Sequence, residues 1–206
     1  MSKELFFEDE IIDDELEQVW IVAEALSRDI TEQLADLHTQ KGAGFISMLK
    51  EITQNKAFSP LKEESNIYTT GSTKENDYEN LLNAARKAVE HGYTVYILPN
   101  PKGFRTADFI FERKGVYKMF DLKTISGKSS VSNRLLDSIG QANHILLNMT
   151  TNYNARLLAK DISLYFRVNT NAFEVLIFKG SKSFLIKRNA ALDKSFVKKF
   201  MFAYNK

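Results

Sequence analysis

The sequence predicts an α/β protein that follows an acidic helical N-terminal region. Two observations carry this expectation. From Asn76 onward, amphipathic helical stretches alternate with short apolar runs bounded by Gly and Pro, whereas the chain before about Gln54 has helical periodicity alone. The charge is also split. Residues 1–65 hold 15 Asp/Glu and 6 Lys/Arg, a formal charge of −9, and residues 66–206 hold 11 and 22, a formal charge of +11. The boundaries expected from this are an acidic helical region at 1–65 and an α/β domain at 66–206.

In chain order, "DDELEQVWIVAEALSRDITEQLADLHTQ" reads as helix, with Val19, Val22, Leu26, Ile30, Leu34 and Leu37 recurring at three or four. Gly42 and Gly44 break it, and a shorter helix runs to about Gln54. "NKAFSPLKEESNIYTTGSTKEN" lacks periodicity and reads as linker. "NDYENLLNAARKAVEHG" is a helix that Gly92 stops. "YTVYILP" is a strand closed by Pro99 and Pro101, "TADFIFER" a second, and "YKMFDLKTI" a third, the last two pairing as a hairpin about Gly115. "GKSSVSNRLLDSIGQANHILLNM" begins as a loop and becomes helix. "DISLYFRVNT", "FEVLIFK" and "SFLIKR" read as strands, and "DKSFVKKFMFAYNK" as a closing helix.

Composition excludes several classes. The 206 residues contain no cysteine, so disulfides and thiolate metal sites are ruled out. His38, His91 and His144 form no ligand-spaced pair, which argues against structural zinc. A metal would be held by oxygen ligands, which favours Mg²⁺ or Mn²⁺. No apolar run reaches the ~18 residues of a membrane span. The start "MSKELFFEDEIIDDELEQ" lacks the basic segment and cleavage site of a signal peptide, so the expected site of action is the cytoplasm. The +11 charge of the second region suits a nucleic-acid partner; the alternative is a lysine surface that only keeps the protein soluble.

The chemistry centres on "FDLK". Side chains two apart on a strand share a face, so Asp121 and Lys123 lie side by side, about 6–7 Å apart along the chain. Taken alone they form an exposed ion pair worth about 0–1 kcal/mol. Asp108, at the start of the preceding strand, can converge on Asp121 if the strands are hairpin partners. Glu79, near the start of the helix at 76–91, can project toward the same end, with Glu75 and Asp77 as alternatives; a helix N-terminus also favours acids for dipole reasons alone. Carboxylates beside a lysine suit metal-dependent phosphodiester hydrolysis. The acids hold the metal and the lysine orients the attacking water. Lys128, Ser129, Ser130, Asn133 and Arg134 are phosphate-contacting types on a loop entering a helix, and equally are ordinary capping residues. Lys102, Arg105, Arg113, Lys114 and Lys118 are expected near the substrate backbone once the hairpin forms.

The pattern "YENLLNAARKAVEHGYTVYILP…TADFIF…YKMFDLKTI…GQANHI" resembles the PD-(D/E)xK nuclease superfamily. Over residues 76–150 it is similar to the C-terminal nuclease domains of contact-dependent growth-inhibition and related polymorphic toxins. The resemblance implies a central mixed β-sheet flanked by helices, the restriction-endonuclease-like fold. It makes Asp108 the first acid of the motif, with Asp121 and Lys123 as its D-x-K. Glu79 becomes the acid on the first helix, a metal ligand with Asp108 and Asp121, and Gln141 the glutamine on the following helix. Ala107 stands where the motif has proline. Also implied are an RNA (tRNA in particular) or DNA substrate, an immunity protein as partner, and delivery as part of a toxin system. The resemblance does not extend to residues 1–65, whose acidic helices fit a homo-oligomer, delivery or autoinhibition alike. Two other classes stay open: a metal-independent, barnase-like RNase using Lys123, Ser129, Ser130 and a histidine, and a non-catalytic nucleic-acid-binding or assembly protein of a mobile element or phage.

Overall fold

A computed structural model describes residues 28–71, 77–100, 105–127 and 131–206. The chain divides into two compact units between Phe58 and Ser59. In the first, helix α1 (Ile30–Leu37) starts on Asp29, whose side chain accepts the Thr31 N–H at 2.8 Å. Helix α2 (Gly42–Thr53) follows. Leu34, Leu37, Leu49 and Ile52 are buried, and Asn55 ties the unit by donating to Arg28 O and Gln33 Oε1. The helix read from Asp13 to Ser27 lies outside the described residues.

The second unit is an α/β fold built on one mixed sheet of eight strands, in the order β1 to β8. Strands β1 (Ser59–Leu61) and β2 (Glu64–Thr69) form an antiparallel hairpin. Helix α3 (Tyr78–Glu90) crosses to β3 (Thr94–Ile97), which runs parallel to β2. Strands β4 (Phe109–Arg113) and β5 (Val116–Ile125) continue antiparallel. Helix α4 (Val131–Asp137) leads to β6 (His144–Met149), and α5 (Ala155–Val168) to β7 (Glu174–Lys179), both strands parallel to β5. Strand β8 (Lys182–Lys187) returns antiparallel, and α6 (Arg188–Ala191) and α7 (Phe196–Asn205) close the chain.

The sheet separates two cores. Alternation on the strands sends Phe109, Phe111, Phe120, Leu146 and Phe178 to one face, under Leu81, Ala85 and Ala88 of α3. It sends Ile125, Ile145, Leu147, Val175 and Ile177 to the other, under Leu158, Ile162 and Phe166 of α5 and Phe196 and Phe200 of α7.

Three local expectations are corrected. The stretch read as linker contains β1 and β2, so residues 59–65 belong with the sheet; β2 points only Ile67 and Thr69 inward, too sparse an alternation to read. "DISLYFRV" is the second half of helix α5, capped by Asn154, whose side chain accepts the Leu157 N–H. Its β-branched and aromatic residues mimic a strand, but Leu158, Ile162, Tyr165 and Phe166 fall on one helical face. Conversely, "HILLNM" is strand β6, buried on both sides between β5 and β7, and such a strand carries no alternation to find.

Candidate active site

The β4–β5 connection places the two acids. Lys114 and Gly115 both have positive φ, 53° and 77°, which makes a two-residue turn that matches the twist of the flanking strands. Arg113 then faces Val116, and the register carries through to Phe109 opposite Phe120. Asp108 comes one step beyond this last pair. Its N–H donates to Phe120 O at 3.0 Å, so it stands opposite Asp121 on the same face. Here β4 ends while β5 runs on, bound only to β6 through Ile125. The free edge of β5 opens a cleft of about 580 Å³.

The Asp108 side chain caps that edge, its Oδ2 accepting the Leu122 N–H at 2.6 Å. Asp121 is 2% exposed, and Lys123 Nζ lies 2.8 Å from its Oδ2, side by side on the strand as their spacing predicts. Lys123 and the Asp108 carboxyl both stabilise the charged form of Asp121. Burial in the sheet is what separates Asp121 and Lys123 from a surface ion pair. Burial, then the charge of Asp121, pushes the Asp108 carboxyl up to about 7 against the opposing Leu122 amide and Lys123. Burial also raises Asp121, with Lys123, a hydrogen bond with Asp108 and the charge of Arg105 opposing. The Thr124 hydroxyl, on the cleft wall, is a buried group without a hydrogen-bond partner.

The remaining expected residues are distributed unevenly. Gln141 lines the cleft, but in the turn after α4 rather than on a helix, donating to Asp137 O at 3.1 Å. Arg134 lines it from α4, and Asn133 is exposed and does not. Lys102, Lys128, Ser129 and Ser130 lie outside the described residues. Glu79 is not on the cleft. Helix α3 turns Asp77, Asn80 and Leu81 toward the cleft, while Glu79 is exposed and acts on Arg86. Asp77 is near enough to raise the Asp108 carboxyl. The sequence left Glu79, Glu75 and Asp77 as alternatives because the entry angle of α3 decides among them; Glu75 lies outside the described residues.

The basic cluster also divides. Arg105 lines the cleft, whereas Arg113 and Lys114 sit at the turn, about 17 Å along the strand from Asp108. Arg113 rests on the Tyr93 ring, and Lys118 pairs with the buried Glu174. Neither His91 nor His144 lines the cleft. His91 stacks on Phe178, and His144 lies between Phe120 and Phe173, where burial pulls its imidazole down to about 4. A metal-independent RNase built on either histidine therefore lacks its base at this site.

The donors fit a divalent cation. Two buried carboxylates stand together, both raised by burial, and the charge of Asp121 raises Asp108 further, so a cation between them is favoured. No cluster of three Asp, Glu, His or Cys occurs among the described residues, so water and substrate oxygens would complete the coordination, as is usual for Mg²⁺.

No helix among the described residues is long and apolar enough to cross a membrane. No family model matches the chain, and comparison with curated proteins finds no match. Among solved structures, the chain is similar to a chain of a CdiA-CT/CdiI toxin and immunity complex from Burkholderia pseudomallei. That likeness has 17% identity and a TM-score of 0.36, and covers 57% of this chain and 91% of that one.

Proposed function

We propose that the protein hydrolyses phosphodiester bonds of a nucleic acid with the help of Mg²⁺ or Mn²⁺. The observation that carries this reading is the opposition of Asp108 and Asp121 at the free edge of β5, with Lys123 2.8 Å from Asp121. Asp108 and Asp121 hold the metal through oxygen. When bound, the metal supplies positive charge to the phosphate and acidifies a water. Lys123 would orient an attacking water and balance charge that develops on the phosphate oxygens. Arg105 and Arg134 place cations on the rim, where a polyanion enters. Gln141 contributes an amide to the same wall. A toxin-type role, RNA (tRNA in particular) ahead of DNA as substrate, and an immunity protein over the basic face rest on the resemblance of the "FDLK" region in sequence.

The test is cleavage of total tRNA and of plasmid DNA by the purified chain in Mg²⁺, Mn²⁺ or EDTA, beside Asp121→Asn and Lys123→Ala. Metal-dependent cleavage that falls by about 100-fold or more in both variants is expected. Undiminished activity in EDTA would replace this reading with metal-independent chemistry. Tight binding with no cleavage in any metal would leave a binding protein.

A further inference from the structure

A second cleft, of about 630 Å³, lies beside the first, where β6 and β7 end. Behind its wall lies a polar network, joined from distant parts of the chain, that reaches the cleft at Asn83 and Lys87. Asn148 of β6 is 0% exposed; its Oδ1 accepts from Lys87 Nζ at 2.7 Å, and its Nδ2 donates to Asn83 Oδ1 at 2.9 Å. Lys179 and Lys182 flank the β7–β8 turn on the same cleft, and Thr150 and Asn152 follow β6 into it. No acidic residue lines it. Lys87 makes no ion pair among the described residues. Burial lowers its ammonium, with only Glu90 opposing. Lys179 is held in place by donating to Tyr204 O at 2.8 Å, with its Nζ 3.8 Å above the Tyr204 ring. A cleft with three lysines, amides and hydroxyls, and no carboxylate, is built for an anion rich in oxygen acceptors.

The two clefts share walls. Asp77 and Asn80 of α3 line the first, while Asn83 and Lys87 of the same helix line the second. Asn80 and Lys87 are about 10 Å apart along the helix axis. At the sheet, Ser126 lines the first and Thr150 the second, and Thr150 donates both its N–H and its hydroxyl to Ile125 O at 3.0 Å. Polar residues therefore line both clefts where α3 meets the strand ends, from Asn80 and Ser126 to Lys87 and Lys182.

We propose that this second cleft grips the phosphate backbone of a single polynucleotide strand at a point displaced from the bond held at Asp108 and Asp121. The inference rests on the nuclease reading of the first cleft. A strand spanning both clefts carries a repeating charge, and the second cleft sets three lysines against it. An isolated phosphate or pyrophosphate would fill only one cleft.

The test is equilibrium binding of labelled single-stranded oligonucleotides to the full chain in EDTA, where no turnover intervenes. A dinucleotide and a strand of about a dozen nucleotides are compared, with inorganic pyrophosphate as competitor. The variants are Lys182→Gln and the double Lys87→Gln/Lys182→Gln. Lys182 is exposed at the start of β8, so its single variant keeps the test interpretable if the double fails to fold. For the long strand, the double variant is expected to bind about tenfold more weakly, with a salt slope shallower by about 1.4, the value for two lost single-strand phosphate contacts. The single variant should give about half that change in slope, and dinucleotide binding should stay within about twofold. An unchanged slope, equal losses for both lengths, or pyrophosphate displacing both lengths alike overturns the proposal. Cleavage with an unchanged slope overturns the second cleft alone. A shallower slope without cleavage in any metal overturns the nuclease reading alone.

Discussion

The carboxylate of Asp108 completes the backbone ladder of its neighbour: its Oδ2 accepts the Leu122 N–H at 2.6 Å, one step past the last paired residues of β4 and β5. The group therefore works as a structural acceptor and as half of a repelling acid pair. Asp108→Asn keeps an acceptor for Leu122 and removes the buried charge, while Asp108→Ala removes both. Because the folded carboxyl is raised from 3.8 to about 7, its stabilising contribution is present below pH 4 and is lost as pH rises to about 7. In EDTA at pH 8, Asp108→Asn is expected to be more stable than wild type by roughly 1–3 kcal/mol, with the advantage vanishing near pH 4. Asp108→Ala should fall about 1–2 kcal/mol below Asp108→Asn. Urea unfolding at several pH values measures both, and both variants should lack cleavage.

Metal should reverse that order. An ion that binds the folded pair and not the unfolded chain stabilises by mass action, about 2.7 kcal/mol at a hundredfold excess over its Kd. Thermal melts with increasing Mn²⁺ are expected to raise the Tm of wild type and to leave Asp108→Asn and Asp121→Asn where they stand in EDTA. An equal rise in all three would place the metal elsewhere.

His144 supplies a separate pH response. Its imidazole is pulled down from 6.5 to about 4, chiefly by burial, with Lys118 lowering it further and Glu174 opposing. A lowered pKa means that the folded state resists protonation. Its stability is present above about pH 6.5 and is lost as pH falls toward 4, by about 2–3 kcal/mol. His144→Phe is expected to flatten this part of the stability curve while leaving cleavage at pH 8 intact.

Lys118 and Glu174 couple β5 to β7 across the intervening strand β6, with Nζ 2.7 and 2.9 Å from the two carboxylate oxygens. Glu174 is buried, so Lys118→Met strands its charge and should cost about 2–4 kcal/mol in urea unfolding. The double variant Lys118→Met/Glu174→Gln should recover most of that loss.

The turn at Lys114 and Gly115 sets the register that opposes the two acids. Gly115 has φ of 77° and meets open space, so Gly115→Ala is penalised by backbone conformation alone, by about 1 kcal/mol. Lys114→Gly relieves the same strain at φ 53° and should stabilise by a few tenths of a kcal/mol. Activity should track stability in both, since neither side chain approaches the cleft.

The hairpin and its acids were legible because a period of two and a Gly-marked turn are local properties. Asp121 and Lys123 had to share a face, and Asp108 had to follow if the turn was tight. What was not legible depended on distant packing. Between Glu79 and Asp77, only the docking of α3 on Phe109 and Phe120 turns Asp77 rather than Glu79 to the cleft. Strand β6 reads as helix because it is covered on both faces, and helix α5 reads as strand because its residue types outweigh its spacing. The network of Asn148 with Lys87 and Asn83 has no trace in the sequence, since its members are 61 and 65 positions apart.

Strand order along the sheet is the same as strand order along the chain. No strand has to enter between two that are already paired, so the sheet can grow by accretion, one neighbour at a time. The acid pair belongs to one of the most local of these pairings, a hairpin closed by two residues, and loop closure there carries little entropic cost. The lysine cleft needs α3 to meet a strand more than sixty residues later. The acid pair of the site that would cut thus depends on a local closure, whereas the site that would hold the strand depends on contacts distant in the chain.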